Sequence, residues 1–147
     1  MNTPRVEPYL FLGGRCEEAL EFYRTAIGAQ IEMVSRFSES PDPPPAGMLP
    51  PGFENKIMHS SFRIGSSLLM ASDGCGKPDR MGGFSLSITV NSDEEADRFY
   101  KALSVDGKVI MPMAPTFWSP RFGIVEDRFG VSWMINLETA RENPASA

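Results

Sequence analysis

Apolar and polar positions change rhythm along this chain, and each rhythm predicts an element. Near the end, Val131, Trp133 and Ile135 alternate with Ser132, Met134 and Asn136. Period two with one apolar side is the signature of a half-buried strand. Just upstream, Phe122 to Glu126 is short and β-prone, and Asp127-Arg128-Phe129-Gly130 has the chemistry of a tight turn. An Asp bonds its own backbone where a turn begins, and a Gly supplies the positive φ where it ends. The segment from Phe117 to Leu137 therefore predicts a hairpin. Phe84 to Val90 alternates as cleanly, with Leu86, Ile88 and Val90 against Ser85, Ser87 and Thr89. Val6 to Leu12 predicts a strand entered through Pro8, and Gln30 to Phe37 another. Ile57 to Ile64 and Ser67 to Ser72 flank Gly65-Ser66 and predict a second hairpin.

Two stretches carry the helical period instead. Ala19, Phe22, Tyr23, Ala26 and Ile27 recur at the spacing of an amphipathic stripe, and Gly28 is a natural C-terminal stop. Ser92-Asp93-Glu94-Glu95 has the form of a capping box and opens a second helix. Between the two helices a repeat emerges. Glu17-Glu18-Ala19-x-x-Phe22-Tyr23 returns as Glu94-Glu95-Ala96-x-x-Phe99-Tyr100. Each copy is preceded by a strand and followed by a Gly and three strands. An internal repeat constrains architecture more than any single propensity. The expected fold class is α+β, two βαβββ modules forming a curved, cup-like mixed sheet with helices on the outer face. Module one covers about residues 5–73 and module two about 83–138, within one domain spanning 1–147. Residues 139–147 are expected to be a disordered tail.

Residues 41–52 interrupt the pattern, with six of the thirteen prolines. Proline donates no backbone hydrogen bond, so a loop is expected, either a lid over a site or a surface excursion. Net charge of −5 argues against nucleic acid or an anionic membrane as partner, since both reward basic patches. No run of eighteen apolar residues suggests a membrane span. Cys16 and Cys75 make neither a metal spacing nor a disulfide framework, and suit reduced thiols in a cytoplasmic protein.

The sequence resembles the vicinal-oxygen-chelate (glyoxalase/bleomycin-resistance/dioxygenase) superfamily over roughly residues 5 to 138. It is most similar to the phosphonate-operon-associated, 3-demethylubiquinone methyltransferase-like branch. The motifs that carry the likeness are PYLF (Pro8 to Phe11), EEALEFY (Glu17 to Tyr23), KIMHSSF (Lys56 to Phe62), LLMASD (Leu68 to Asp73) and the spaced run from Trp118 to Trp133. The resemblance implies two half-cups around a cavity, a homodimer, and in metal-dependent members four His and Glu ligands. Those ligand positions fall here at Pro8, Met70, Ser85 and Met134, which do not make a divalent-cation site. The branch name implies methyl transfer, yet no Gly-rich strand-to-helix turn with an acidic strand end is present to hold a nucleotide-like cofactor.

The candidate site follows from alternation. Ser132, Met134 and Asn136, the Ser85, Ser87 and Thr89 face, the Leu68, Met70 and Ser72 face, and Pro8, Leu10 and Leu12 are expected to point into the cup. Met70, Ser85, Ser87, Trp118, Arg121 and Met134 are the candidate ligand-binding residues. Arg121 either holds an anionic group or forms a rim salt bridge with Glu126 or Asp127. Trp118 and Phe117 either line the mouth or fill a dimer interface. His59, the single histidine, is the candidate acid, base or ligand contact, with a merely structural place as its alternative. The expected function is binding of a small molecule, without metal or other cofactor. The rival is a metal- or His-dependent lyase, isomerase or dioxygenase-type enzyme of the same superfamily.

Overall fold

The structure, a computed structural model, describes residues 3–42, 44–76 and 81–138. The chain divides into two compact units, Met1–Arg80 and Met81–Ala147. The first contains β1 (Tyr9–Phe11), α1 (Cys16–Ile27), β2 (Gln30–Arg36), β3 (Ile57–Ile64) and β4 (Ser67–Ser72), with a short 3-10 turn, Phe37–Glu39, after β2. The second contains β5 (Leu86–Val90), α2 (Asp93–Ser104), β6 (Lys108–Ala114), β7 (Phe122–Glu126) and β8 (Ser132–Leu137). Each unit is one four-stranded mixed sheet, in the orders β1-β4-β3-β2 and β5-β8-β7-β6. In each, the first strand runs parallel to the last, and the remaining pairs are antiparallel. The fold is the α+β arrangement of two βαβββ modules that the repeat predicts. The Pro-rich stretch forms no helix or strand among its described residues. The expected tail at 139–147 lies outside the described residues. No helix among the described residues is long and apolar enough to cross a membrane.

Each helix covers one face of its own sheet. From α1, Ala19, Leu20, Tyr23 and Ile27 are buried, and Tyr23 stacks on Phe62 of β3 at 6.0 Å. Leu20 thus joins the stripe, while Phe22 and Ala26 sit at its half-buried edge. From α2, Ala96, Phe99 and Leu103 are buried. Opposite them Val125, Trp133 and Ile135 fill the second core, each at most 1% exposed. Gly123 permits the close approach of helix and sheet: a Cβ there would lie 2.7 Å from the Tyr100 ring.

One facing expectation is overturned. Leu10 and Leu12 belong to the helix-side core, at 1% and 6% exposure, while Tyr9 and Phe11 point the other way. Pro8 therefore does not lead the inward set. The cause is the register of β1, which sets Tyr9 beside Met70 and Leu10 beside Ala71. Tyr-Leu-Phe-Leu is apolar at every step, so its sequence carries no parity of its own.

Two buried carboxylates fix the loops. Asp127 Oδ1 accepts the amides of Phe129 and Val131 at 2.8 and 3.0 Å, and its Oδ2 accepts the Trp133 indole N–H at 2.8 Å. The turn residue is thus also the partner of the core tryptophan. Asp73 Oδ1 accepts the amides of Gly14 and Cys16, and its Oδ2 accepts that of Ile57. Buried amides carry a free-energy penalty unless paired, and here one side chain serves three.

Candidate functional site

The face of each sheet turned away from its helix is half-exposed and carries most of the candidate residues. In the first unit, register aligns Tyr9 with Met70 and Met70 with Ser61. His59 lies one pleat along β3 from Ser61, and its Nδ1 is 3.1 Å from the Tyr9 hydroxyl. The two rings stack at 5.6 Å, and Phe11 flanks Tyr9 at 5.1 Å. An aromatic and thioether surface thus holds one phenol–imidazole pair. Arg63 also lies on this side of β3, but Glu32 and the Ser66 carbonyl engage its guanidinium.

In the second unit, register aligns Ser87 with Met134 and Met134 with Ile124. Ser85 and Ser132 join through their hydroxyls at 2.6 Å. Asn136 follows on the same side, between Thr89 and Phe122. Its amide oxygen is buried and has no hydrogen-bond partner among the described residues. The two sheets share one strand order, and with Met70 set against Met134 the register puts Tyr9 at the place of Ser87 and His59 at that of Phe122.

Trp118 is half-exposed and packs edge-on against Phe122 at 5.2 Å, with Phe117 at its own edge. The segment is pinned by buried Ser119, whose hydroxyl donates to the Leu137 carbonyl at 2.8 Å. Arg121 pairs with neither Glu126 nor Asp127. It grips Asp97 of α2 through two bonds of 2.9 and 3.0 Å, with Asp93 at 3.8 Å, and the Asp97 carboxylate raises its pKa further above the usual guanidinium value. A rim salt bridge is therefore present, and it reaches the helix. Asp127 is already spent on backbone and indole donors, which is why it does not serve Arg121.

Met70, Ser85, Ser87 and Met134 thus lie on the helix-free faces, Ser85 and Ser87 in one unit with Met134, and Met70 in the other with His59. Sequence reasoning missed Tyr9 because it assigned β1 the opposite parity. The PYLF motif had named the residue without orienting it.

The residues present do not fit a divalent cation. Beside Met70 stands the Tyr9 phenol, and beside Met134 a serine hydroxyl. Thioethers and neutral hydroxyls are poor ligands for hard cations, which take carboxylates and carbonyls, or for those that favour imidazole. Among the described residues no three His, Cys, Asp or Glu side chains gather where they could hold a metal ion.

Cys16 is no nucleophile. It is fully buried at the start of α1, 3.8 Å from the Ser60 hydroxyl, and burial pushes its thiol up to about 12. Cys75 is exposed and free. A cleft of about 650 Å3 opens between α1 and β2 on the helix side, floored by Leu20, Ile31 and Val34. Its charges are spent within the protein: Glu17 on Arg36, Glu18 on Arg15, Glu21 on Arg24, and Lys56 on the Gly14 carbonyl.

Comparison with known proteins adds the following. The model of a family described as 3-demethylubiquinone-9 3-methyltransferase matches residues 4–136. Protein YjdN of Escherichia coli (strain K12) is 36% identical over 141 residues, covering 90% of this chain and 94% of that protein. The crystal structure of protein PA1353 from Pseudomonas aeruginosa has a TM-score of 0.81 at 39% identity, covering 92% of this chain and 98% of that one. A glyoxylase/bleomycin resistance protein/dioxygenase domain from Frankia sp. EAN1pec has a TM-score of 0.66 at 11% identity, covering 95% of this chain and 100% of that one. That last likeness shows the fold alone.

Proposed function

The chain belongs to the family described as 3-demethylubiquinone-9 3-methyltransferase, with the glyoxalase-like fold, and from this premise we propose that it binds an uncharged small molecule without a metal. The site is the helix-free side of its sheets. The observation that carries the reading is the Asn136 amide oxygen, buried on that side with no partner among the described residues. An unpaired buried acceptor costs about 1–3 kcal/mol, and a ligand donor would remove that penalty. Half-exposed thioethers and aromatics around such a group suit a small molecule of mixed polarity. Methyl transfer is not part of this reading, because the sequence has no Gly-rich turn for a nucleotide-like cofactor. A homodimer in the cytoplasm, using no cofactor, completes it.

The test is native mass spectrometry of protein purified without chelator, beside elemental analysis. The expected result is a chain carrying a small organic molecule and no stoichiometric metal. About one Zn, Ni, Mn or Fe per chain, lost on changing Met70 or Met134, would overturn it.

A further inference from the structure

We propose that His59, held by Tyr9, is the polar contact for a planar, uncharged aromatic ligand that presents a carbonyl oxygen to the helix-free face of the first unit. This rests on the small-molecule reading above and names its ligand class. Tyr9, Phe11 and His59 stand side by side, with ring centres 5.1 and 5.6 Å apart. Rings so spaced give a flat aromatic molecule offset-stacked or edge contacts beyond simple burial. Met70, register partner of Tyr9, adds a polarizable thioether that also favours aromatic rings.

The hydrogen bond decides what the ligand must present. Tyr9 and His59 share one bond through Nδ1, at 3.1 Å. An imidazole nitrogen is a better acceptor than a phenol oxygen, so Tyr9 donates and the proton of His59 resides on Nε2. None of the hydrogen bonds of the described residues uses that Nε2. Beside the Ser61 hydroxyl, which can donate or accept, Nε2–H is a fixed donor on this face, and its complement is an acceptor oxygen. Arg63, the cation on this side of β3, is committed to Glu32, which is why an uncharged ligand fits.

The internal repeat supplies a control. With Met70 set against Met134, the second unit carries Ser87 as the methionine's edge-strand partner where the first has Tyr9, and Phe122 two residues before its middle-strand partner where the first has His59. The sheet forms there without a phenol–imidazole pair, so folding does not require one.

The experiment uses the full chain with two probes, 9-fluorenone and fluorene, which differ by the carbonyl oxygen. Saturation-transfer NMR titrations give both affinities for the natural chain, His59→Phe and Tyr9→Ser, with thermal melts confirming that each variant is folded. The natural chain is expected to prefer fluorenone by about three- to tenfold, the value of one neutral hydrogen bond. His59→Phe should keep fluorene binding and lose the preference, and Tyr9→Ser should weaken both probes. Equal affinities in the natural chain, or a preference that survives His59→Phe, would overturn the proposal. If neither probe binds a chain that mass spectrometry finds carrying another molecule, the ligand class alone is wrong. If neither binds and the chain carries nothing, the small-molecule reading falls with it.

Discussion

Trp133 and Trp118 show how differently one residue type is used within a few positions. Trp133 is 1% exposed and its indole is bonded to Asp127, whereas Trp118 is 50% exposed. Trp133→Ala should cost about 3–5 kcal/mol in urea unfolding, through lost burial and a cavity. Trp118→Ala should cost about 1 kcal/mol or less. Alternation alone made this contrast legible, because Trp133 sits between Val131 and Ile135 and Trp118 precedes Pro120 outside any periodic run. The bond to Asp127 was not legible, since a turn Asp has the same sequence signature whether or not a distant indole reaches it. Cys16 gives a pH dependence. Its thiol is raised from the ordinary 9.0 to about 12 by burial, so the folded chain keeps a proton that the unfolded chain releases. The stabilisation is complete below pH 9 and is lost as pH rises from 9 towards 12, at up to about 1.4 kcal/mol per pH unit. Over that window the natural chain should lose stability faster than Cys16→Ala. Parallel slopes for the two would show that the thiol does not titrate as described.

At the scale of elements, the two helices begin by different means. Ser92 caps α2 locally, its hydroxyl accepting the Glu95 amide at 3.1 Å. Arg15, at the same place before α1, makes no side-chain cap. Asp73, from beyond β4, accepts the Cys16 and Gly14 amides instead, and also that of Ile57 at the start of β3. Ser92→Ala should therefore cost about 1 kcal/mol. Asp73→Ala should cost about 3 kcal/mol or more, because three amides lose their acceptor. Amide exchange should show α1 and the start of β3 opening together in Asp73→Ala, and a loss confined to α1 would contradict this coupling. The Ser92 cap was legible in four consecutive residues, and of the expected box's two bonds the structure forms the one from the Glu95 amide to the Ser92 hydroxyl. The role of Asp73 was not legible, because it joins positions far apart in sequence, and the LLMASD motif names the residue without its partners. The same reason hid the pairing of Arg121 with Asp97, a residue that sequence proximity never suggested. The bulge in β2 between Ile31 and Met33 is also silent in the sequence, yet it places Ile31 and Val34 both on the helix side.

At the scale of the whole molecule, the repeat settled the architecture, since the same order of strand, helix and three strands predicts the same sheet order twice. What it left open is how the sheet edges are covered. β2 and β6 are edge strands in their sheets. Ile31, Met33 and Val34 on one, and Val109, Ile110 and Met111 on the other, are between 37% and 54% exposed. Edge strands with apolar side chains invite further pairing unless charge, bulges or a partner protects them. Each of these edges has a bulge, and β6 also carries Pro112, which cannot donate to a neighbouring strand. β2 has no proline, so self-association should depend more on β2. Sedimentation equilibrium at micromolar concentration should give twice the chain mass. Met33→Lys should shift it towards the monomer, because a cation on each of two apposed edges adds repulsion and removes apolar contact. Ile110→Lys on the proline-bearing edge should leave the mass unchanged. A monomeric natural chain would refute the pairing, and a dimer lost with Ile110→Lys but kept with Met33→Lys would place the interface on the other unit.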